Sequence, residues 1–189
     1  MIRIISGKYR RAQIKNPDFE IVRPMSDRIR EAIFASLQFF LVGKKVLDLF
    51  AGTGAIGIEA VSRGASQVLA SELNKSVFNN IVEVVEKYKI EDYQVFNRSA
   101  VDLLFFVKGQ KFDIIFLDPP HKNEQITKEC FAHISKLELL SNDGFLIYKT
   151  NLGSKLIPLE EGGFKIAKLK KYGPNTVFFL QNNNGVISE

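Results

Sequence analysis

The chain has no tryptophan, one cysteine, two histidines and few prolines, and each shortage excludes something. With Cys130 alone, neither an intramolecular disulfide nor a cysteine-based zinc site can form, so the expected setting is a reducing cytoplasm and stability must come from packing. No apolar run approaches the roughly 20 residues that a membrane-spanning helix requires, so no membrane association is expected. The opening Met1 to Ser6 has a short apolar stretch without the cationic leader, long apolar core and small-residue cleavage site of an export signal. Internal repeats are also missing, and the one low-complexity stretch is the polar tail over residues 181–189, which is expected to fray. What is there is ample apolar mass. Sixteen Phe and five Tyr among 189 residues, 46% of them hydrophobic, suit a single domain with a sizeable core, and a monomer is expected.

The net charge of +5 is unevenly placed. Residues 1–30 hold eight Lys or Arg against three acids, which accounts for the whole excess, and the remainder is balanced. A basic arm over residues 1–25 on a neutral body suits a polyanion touching one side of the molecule. A solvated charged segment would give the same composition.

Strand-length apolar runs occur at Lys45–Phe50, Gln67–Ser71, Tyr93–Asn97, Phe112–Leu117 and Phe145–Thr150, with helical spacing between most of them. That alternation predicts an α/β fold with a doubly wound, mostly parallel sheet. Ser26 is placed to cap a helix whose stripe is Ile29, Ile33, Phe34 and Leu37, and Asn74–Lys87 and Asn123–Leu137 read as helices too. Phe164–Leu169 and Val177–Leu180 flank a turn and are expected to pair as a C-terminal antiparallel hairpin, which brings the strands to seven. Arg3–Ile5 and Ala12–Lys15 predict a small basic N-terminal hairpin.

The first strand runs into Asp48-Leu49-Phe50-Ala51-Gly52-Thr53-Gly54-Ala55-Ile56-Gly57, a literal G-x-G-x-x-G. Alone the pattern is weak, because it serves dinucleotides as readily as other nucleosides. The acid separates them. A carboxylate four residues before the first glycine would repel a pyrophosphate, yet it would attract S-adenosylmethionine, which has no phosphate and carries an ammonium and a sulfonium. Glu72, 24 residues on at the end of the second strand, can accept ribose hydroxyls. A dinucleotide-dependent oxidoreductase is thereby disfavoured.

Asp118-Pro119-Pro120-His121 follows the fourth strand. In a doubly wound sheet this loop neighbours the Asp48 loop at the point where strand order reverses. An exocyclic amino group is a poor nucleophile because its lone pair is delocalised into the ring. Accepting its hydrogens at the Asp118 carboxylate and the Pro119 carbonyl steers the nitrogen toward tetrahedral geometry, so catalysis is mostly alignment and electrostatics. His121 is planar and can stack on an extruded base. The residues alone leave open an RNA, DNA adenine or protein glutamine N-methyltransferase, and a ribosome-binding protein without activity. His133 receives no role.

Three segments carry a resemblance. Arg3-Ile4-Ile5-Ser6-Gly7-Lys8-Tyr9-Arg10-Arg11, Arg23-Pro24-Met25-Ser26-Asp27-Arg28-Ile29-Arg30-Glu31-Ala32-Ile33-Phe34 and Val46-Leu47-Asp48-Leu49-Phe50-Ala51-Gly52-Thr53-Gly54 resemble the basic signature, the Arg-Pro-Thr-x-Asp-Arg-Val-Arg-Glu-x-Leu-Phe block and the donor loop of the bacterial small-subunit ribosomal RNA guanine-N2 methyltransferases. The resemblance implies a Rossmann-like class I methyltransferase that modifies guanine N2 of 16S ribosomal RNA, free or in an assembling small subunit, using S-adenosylmethionine and no metal. It implies catalysis by Asp118, Pro119, Pro120 and His121, and donor contacts from Asp48, Phe50, Ala51, Gly52, Gly54, Glu72, Leu73, Ser99, Ala100 and Asp118. Arg3, Lys8, Arg10 and Arg11 are the candidate RNA contacts. Two positions depart from the family. Ser99-Ala100 stands where Asp-Ala is usual, so weaker donor binding is expected, with the Ser hydroxyl or the Ala100 amide meeting adenine. His121 replaces Tyr or Phe, so stacking is expected to become pH-sensitive.

Overall fold

A computed structural model describes residues 1–15, 24–120, 123–151 and 163–183. In chain order the elements are β1 (Ile2–Arg3), β2 (Gln13–Ile14), α1 (Asp27–Leu37), β3 (Lys45–Asp48), α2 (Ala55–Ser62), β4 (Gln67–Ser71) and α3 (Lys75–Lys87). They continue with β5 (Tyr93–Phe96), α4 (Ala100–Phe106), β6 (Phe112–Leu117), α5 (Glu124–Lys136), β7 (Leu140–Asn151), β8 (Phe164–Tyr172) and β9 (Asn175–Asn182). A seven-stranded sheet runs in the order β5-β4-β3-β6-β7-β9-β8, and β1 pairs separately with β2. The first five strands are parallel, and β9 lies antiparallel between β7 and β8. The expected fold class and C-terminal hairpin are both present.

Strand order reverses between β3 and β6, which are hydrogen-bonded neighbours although helices and two strands separate them in sequence. Because side chains alternate along a strand, each strand feeds two cores. Val46, Val68, Ile114 and Phe116 face one core with α1 and α2, while Leu47, Leu69, Ile115 and Leu117 face the other with α4 and α5. The predicted stripe of α1 is buried throughout, and Phe34 meets Phe116 at a 6.0 Å ring separation. Burying a side chain of that size contributes about 1.5–3 kcal/mol. The predicted Ser26 cap is formed, its side chain accepting from Ile29 N–H, and Asn74 caps α3 by accepting from the amides of Ser76 and Val77.

Strand limits match the sequence reading at β4 and β6 and differ at the other strands, β3 and β7 among them. β3 stops at Asp48, because the Leu49 amide still bonds to β6 but the Ala51 amide turns to the Ser71 carbonyl. β7 begins at Leu140, five residues early, and a bulge between Phe112 and Ile114 absorbs the extra length.

The N-terminal arm is anchored rather than free. Its own ladder has only two rungs, Ile2 with Ile14 and Arg3 with Gln13. Other amides bond outside the arm. Those of Ile5 and Ser6 donate to the carboxylate of Glu59 on α2 at 2.7 and 3.1 Å, and that of Lys8 donates to the Ser62 carbonyl. Glu59 is fully buried and also receives Arg63 at 2.7 Å, with Arg30 of α1 at 3.9 Å. Arg30, counted above among the basic residues, is wholly inside and donates to the Arg3 carbonyl. Burial pulls its guanidinium below the usual pKa, with Asp27 and Glu59 opposing. One cation of the basic segment is therefore structural.

Removing one partner of a buried ionic cluster leaves the others uncompensated, which typically costs about 3–5 kcal/mol. Glu59→Ala is therefore expected to lower stability by roughly that amount and to release the arm. Chemical denaturation checks the first effect, and faster tryptic cleavage at Arg10 and Arg11 checks the second.

Candidate active site

The parallel register of β3 and β6 sets Asp48 opposite Phe116. Asp118 lies two residues beyond, so both loops open at the same carboxyl edge, where doubly wound sheets bind ligands.

The glycine loop is built for close approach. Gly52 and Gly54 have φ of +54° and +78°, left-handed values that a β-carbon disfavours, and Gly54 caps α2. The third glycine of the pattern, Gly57, serves packing: an added β-carbon would lie 2.3 Å from the Tyr93 ring. Glu72 ties the loop to the next helix. Its two carboxylate oxygens accept from the amides of Gly52, at 3.0 Å, and Asn74, at 2.7 Å. A carboxylate has about four acceptor positions, so capacity remains for hydroxyl donors. Burial raises the Glu72 pKa, against the lowering effect of those amides.

Asp48 is 2% exposed, and one carboxylate oxygen, Oδ2, has no hydrogen-bond partner among the described residues. Burial pushes its pKa up to about 7, the amides of Phe50 and Gly57 oppose this, and the nearby charges of Asp118 and Glu72 add to the rise. An orphaned acceptor beside two further carboxylates attracts a cationic donor group. These residues fit an ammonium-bearing nucleoside such as S-adenosylmethionine.

The other predicted donor contacts frame the same edge. Phe50 is half-buried, Ala51 is buried, and Leu73 stands 71% exposed at the rim. Ser99 is occupied differently from expectation. Its hydroxyl caps α4, accepting from the Asp102 amide at 3.1 Å and lying 2.6 Å from the Asp102 carboxylate. Ala100, at the first helical position, has an amide that the helix itself cannot satisfy, which favours the second of the two adenine contacts expected there.

In the tetrad, Pro119 is buried and its carbonyl accepts no hydrogen bond among the described residues, whereas the Pro120 carbonyl accepts from the Asn123 amide and starts the turn into α5. Asp118 is partly exposed, and its Oδ1 accepts from Lys149 Nζ of β7 at 2.8 Å. His121, the expected stacking residue, lies outside the described residues. Lys149 was not singled out in the sequence. Its only signal there is a charge interrupting the apolar run Phe145-Leu146-Ile147-Tyr148.

The four arm cations are exposed but are not gathered at this edge. Lys8, Arg10 and Arg11 form the turn that rests on Ser62, the last residue of α2, while the glycine loop meets its first. An eight-residue helix separates the two by about 12 Å.

Comparison with known proteins bears on this geometry. Ribosomal RNA small subunit methyltransferase D of Haemophilus influenzae is 38% identical over 163 residues, covering 84% of this chain and 83% of its own. Its namesake in Escherichia coli is 33% identical over 145 residues, covering 77% and 69%. Among solved structures, the Escherichia coli candidate methyltransferase yhhF superposes with a TM-score of 0.83 at 27% identity, over 96% of this chain and 97% of that one. The candidate methyltransferase SMU.776, solved with S-adenosylhomocysteine, shares the fold at a TM-score of 0.67 and 20% identity, over 80% of this chain and 49% of that one. Residues 2–181 match the family described as conserved hypothetical protein 95, and with these relatives the chain belongs to that family, whose members named above are methyltransferases.

Proposed function

We propose that the chain methylates the exocyclic N2 amino group of a guanine in 16S ribosomal RNA, taking the methyl group from S-adenosylmethionine. The reading is carried by one juxtaposition: the orphaned, buried Asp48 carboxylate and the Asp118-Pro119 acceptor pair share the carboxyl edge of adjacent strands. The names of the Haemophilus and Escherichia relatives support small-subunit ribosomal RNA as the substrate.

Asp48 and Glu72 hold the donor, Asp48 through its ammonium and Glu72 through its ribose, and the glycines let backbone approach it. When bound, S-adenosylmethionine supplies an electrophilic methyl on sulfur. Asp118 Oδ2 and the Pro119 carbonyl accept the two amino hydrogens, which orients the nitrogen lone pair. Pro119 and Pro120 stiffen the loop, so little reorganisation is needed as charge develops. His121 stacks on the extruded guanine, and Arg3, Lys8, Arg10 and Arg11 hold flanking phosphates at a distance from the chemistry. The assembling small subunit, in which single-stranded segments are accessible, is the setting that suits an extruded base.

Incubation of the protein with labelled donor and undermodified small-subunit RNA or particles, followed by mass mapping, is expected to place the label on guanine N2. Label on protein or DNA alone would overturn the substrate. Asp118→Ala is expected to lower the methylation rate about 100-fold or more while changing RNA affinity less than about threefold, because its contact matters most near the transition state; equal losses would remove its role.

The Asp48 site also sets a pH dependence. Its carboxyl stays protonated in the folded chain up to a pKa of about 7, while in the unfolded chain it ionises near 3.8. The stability it contributes is therefore fully present below the unfolded value and lost as pH rises through 7, while the ionised form that attracts an ammonium appears over the same range. Asp48→Asn is expected to raise the thermal midpoint by several degrees at pH 8 and by less at pH 5. In the native chain, S-adenosylhomocysteine affinity should rise between pH 6 and 8, and the substitution should abolish that rise in calorimetry. Replacing Arg3, Lys8, Arg10 and Arg11 by Gln is expected to flatten the salt dependence of RNA binding by up to about three units of logarithmic slope. An unchanged slope would take the arm out of the interface.

A further inference from the structure

We propose that Lys149 is a positioning residue for methyl transfer: its ammonium holds one oxygen of the Asp118 carboxylate and thereby presents the other to the target amino group. The inference rests on the role given to Asp118 above.

Sheet register brings the pair together. Leu117 of β6 lies opposite Tyr148 of β7, so Asp118, just past the end of β6, and Lys149, still within β7, lie side by side. Lys149 Nζ lies 2.8 Å from Asp118 Oδ1, with side-chain exposures of 9% for the lysine and 22% for the aspartate. Asp118 Oδ2 accepts no hydrogen bond among the described residues. The carboxylate is thus anchored at one oxygen and available at the other.

The charges around it act in the same sense. Asp118 and Glu72 are each close enough to Asp48 for their charges to act on it, and Asp48 and Glu72 lie toward the glycine loop. From the opposite side, on β7, Lys149 attracts Asp118 while the Asp48 charge repels it. A carboxylate torsion is otherwise broad and nearly two-fold, so an unanchored Asp118 would distribute its acceptor oxygen over a wide arc. Rate is sensitive to such spread, since a misplacement of about 1 Å costs on the order of 100-fold.

Packing does not account for the lysine. Ile147 and Tyr148 before it on β7 face the two apolar cores, and its cross-strand partner on β9 is the fully buried Val177. A buried ion pair is seldom more stable than an apolar pair of similar volume, and an apolar side chain would fill this position at least as well. The recorded interaction of its ammonium among the described residues is with Asp118 alone.

The test is a double-mutant cycle read by single-turnover methylation of undermodified small-subunit RNA. Lys149→Met keeps most of the side-chain volume and is expected to slow transfer by at least about tenfold, with S-adenosylhomocysteine and RNA affinities within about threefold of the native chain. Lys149→Arg, which restores a cation, is expected to recover most of the rate. In an Asp118→Ala background, Lys149→Met should add less than about a twofold loss, because the two act as a unit. A native rate in Lys149→Met, or a loss of the same size with and without Asp118, would overturn the inference while leaving the role of Asp118 intact. A native rate in Asp118→Ala alone would overturn that role itself. If Lys149→Met fails to melt cooperatively, Lys149→Gln takes its place in the same cycle with the same criteria.

Discussion

Three rungs of parallel pairing between β3 and β6, Val46 with Ile114, Leu47 with Ile115 and Asp48 with Phe116, hold the molecule's two halves in register. The pairing fixes more than adjacency. Because side chains alternate, a slip of one residue would carry Asp48 and Phe116 to opposite faces and exchange the two cores. Both cores resist this. Phe116 meets Phe34 on one face, and Leu47 and Ile115 are buried with α4 and α5 on the other. The glycine loop and the Asp118 loop are therefore placed by hydrophobic packing in the strands that lead into them.

Much of this was legible in the chain itself. The five parallel strands, the capped α1 and α3, the glycine loop and the acid at its head announce themselves through local spacing, which needs no partner to be recognised. Other features depend on residues far apart. Lys149 reaches an aspartate 31 positions earlier, and Glu59 receives amides from positions 5 and 6, so no window along the sequence contains either relationship. Charge counting failed at Arg30 for a related reason, since composition registers a cation but not whether it points inward. Ser99 shows a third kind of limit. A serine before a helix can meet a ligand or cap the backbone, and the choice became visible only once Asp102 was seen to engage its hydroxyl.

The carboxyl edge collects like charges, an arrangement that favours ligand capture over stability. Asp48 is buried with an unpartnered oxygen, and Glu72 and Asp118 stand near enough to disfavour its ionisation. A protein selected for stability alone would place neutral or apolar groups there. Opposing charge comes from Lys149 on the β7 side, leaving the glycine-loop side open to a cationic ligand.

The anchoring of the arm on Glu59 bears on how the chain is made. Ile5 and Ser6 are synthesised more than fifty residues before the carboxylate that receives them, and Gln13 meets the Tyr88 hydroxyl across 75 positions. At about 5–20 residues per second, translation leaves the arm without its docking surface for several seconds. During that interval its cations emerge beside an RNA-rich particle, and closing the arm onto α2 is a long-range step.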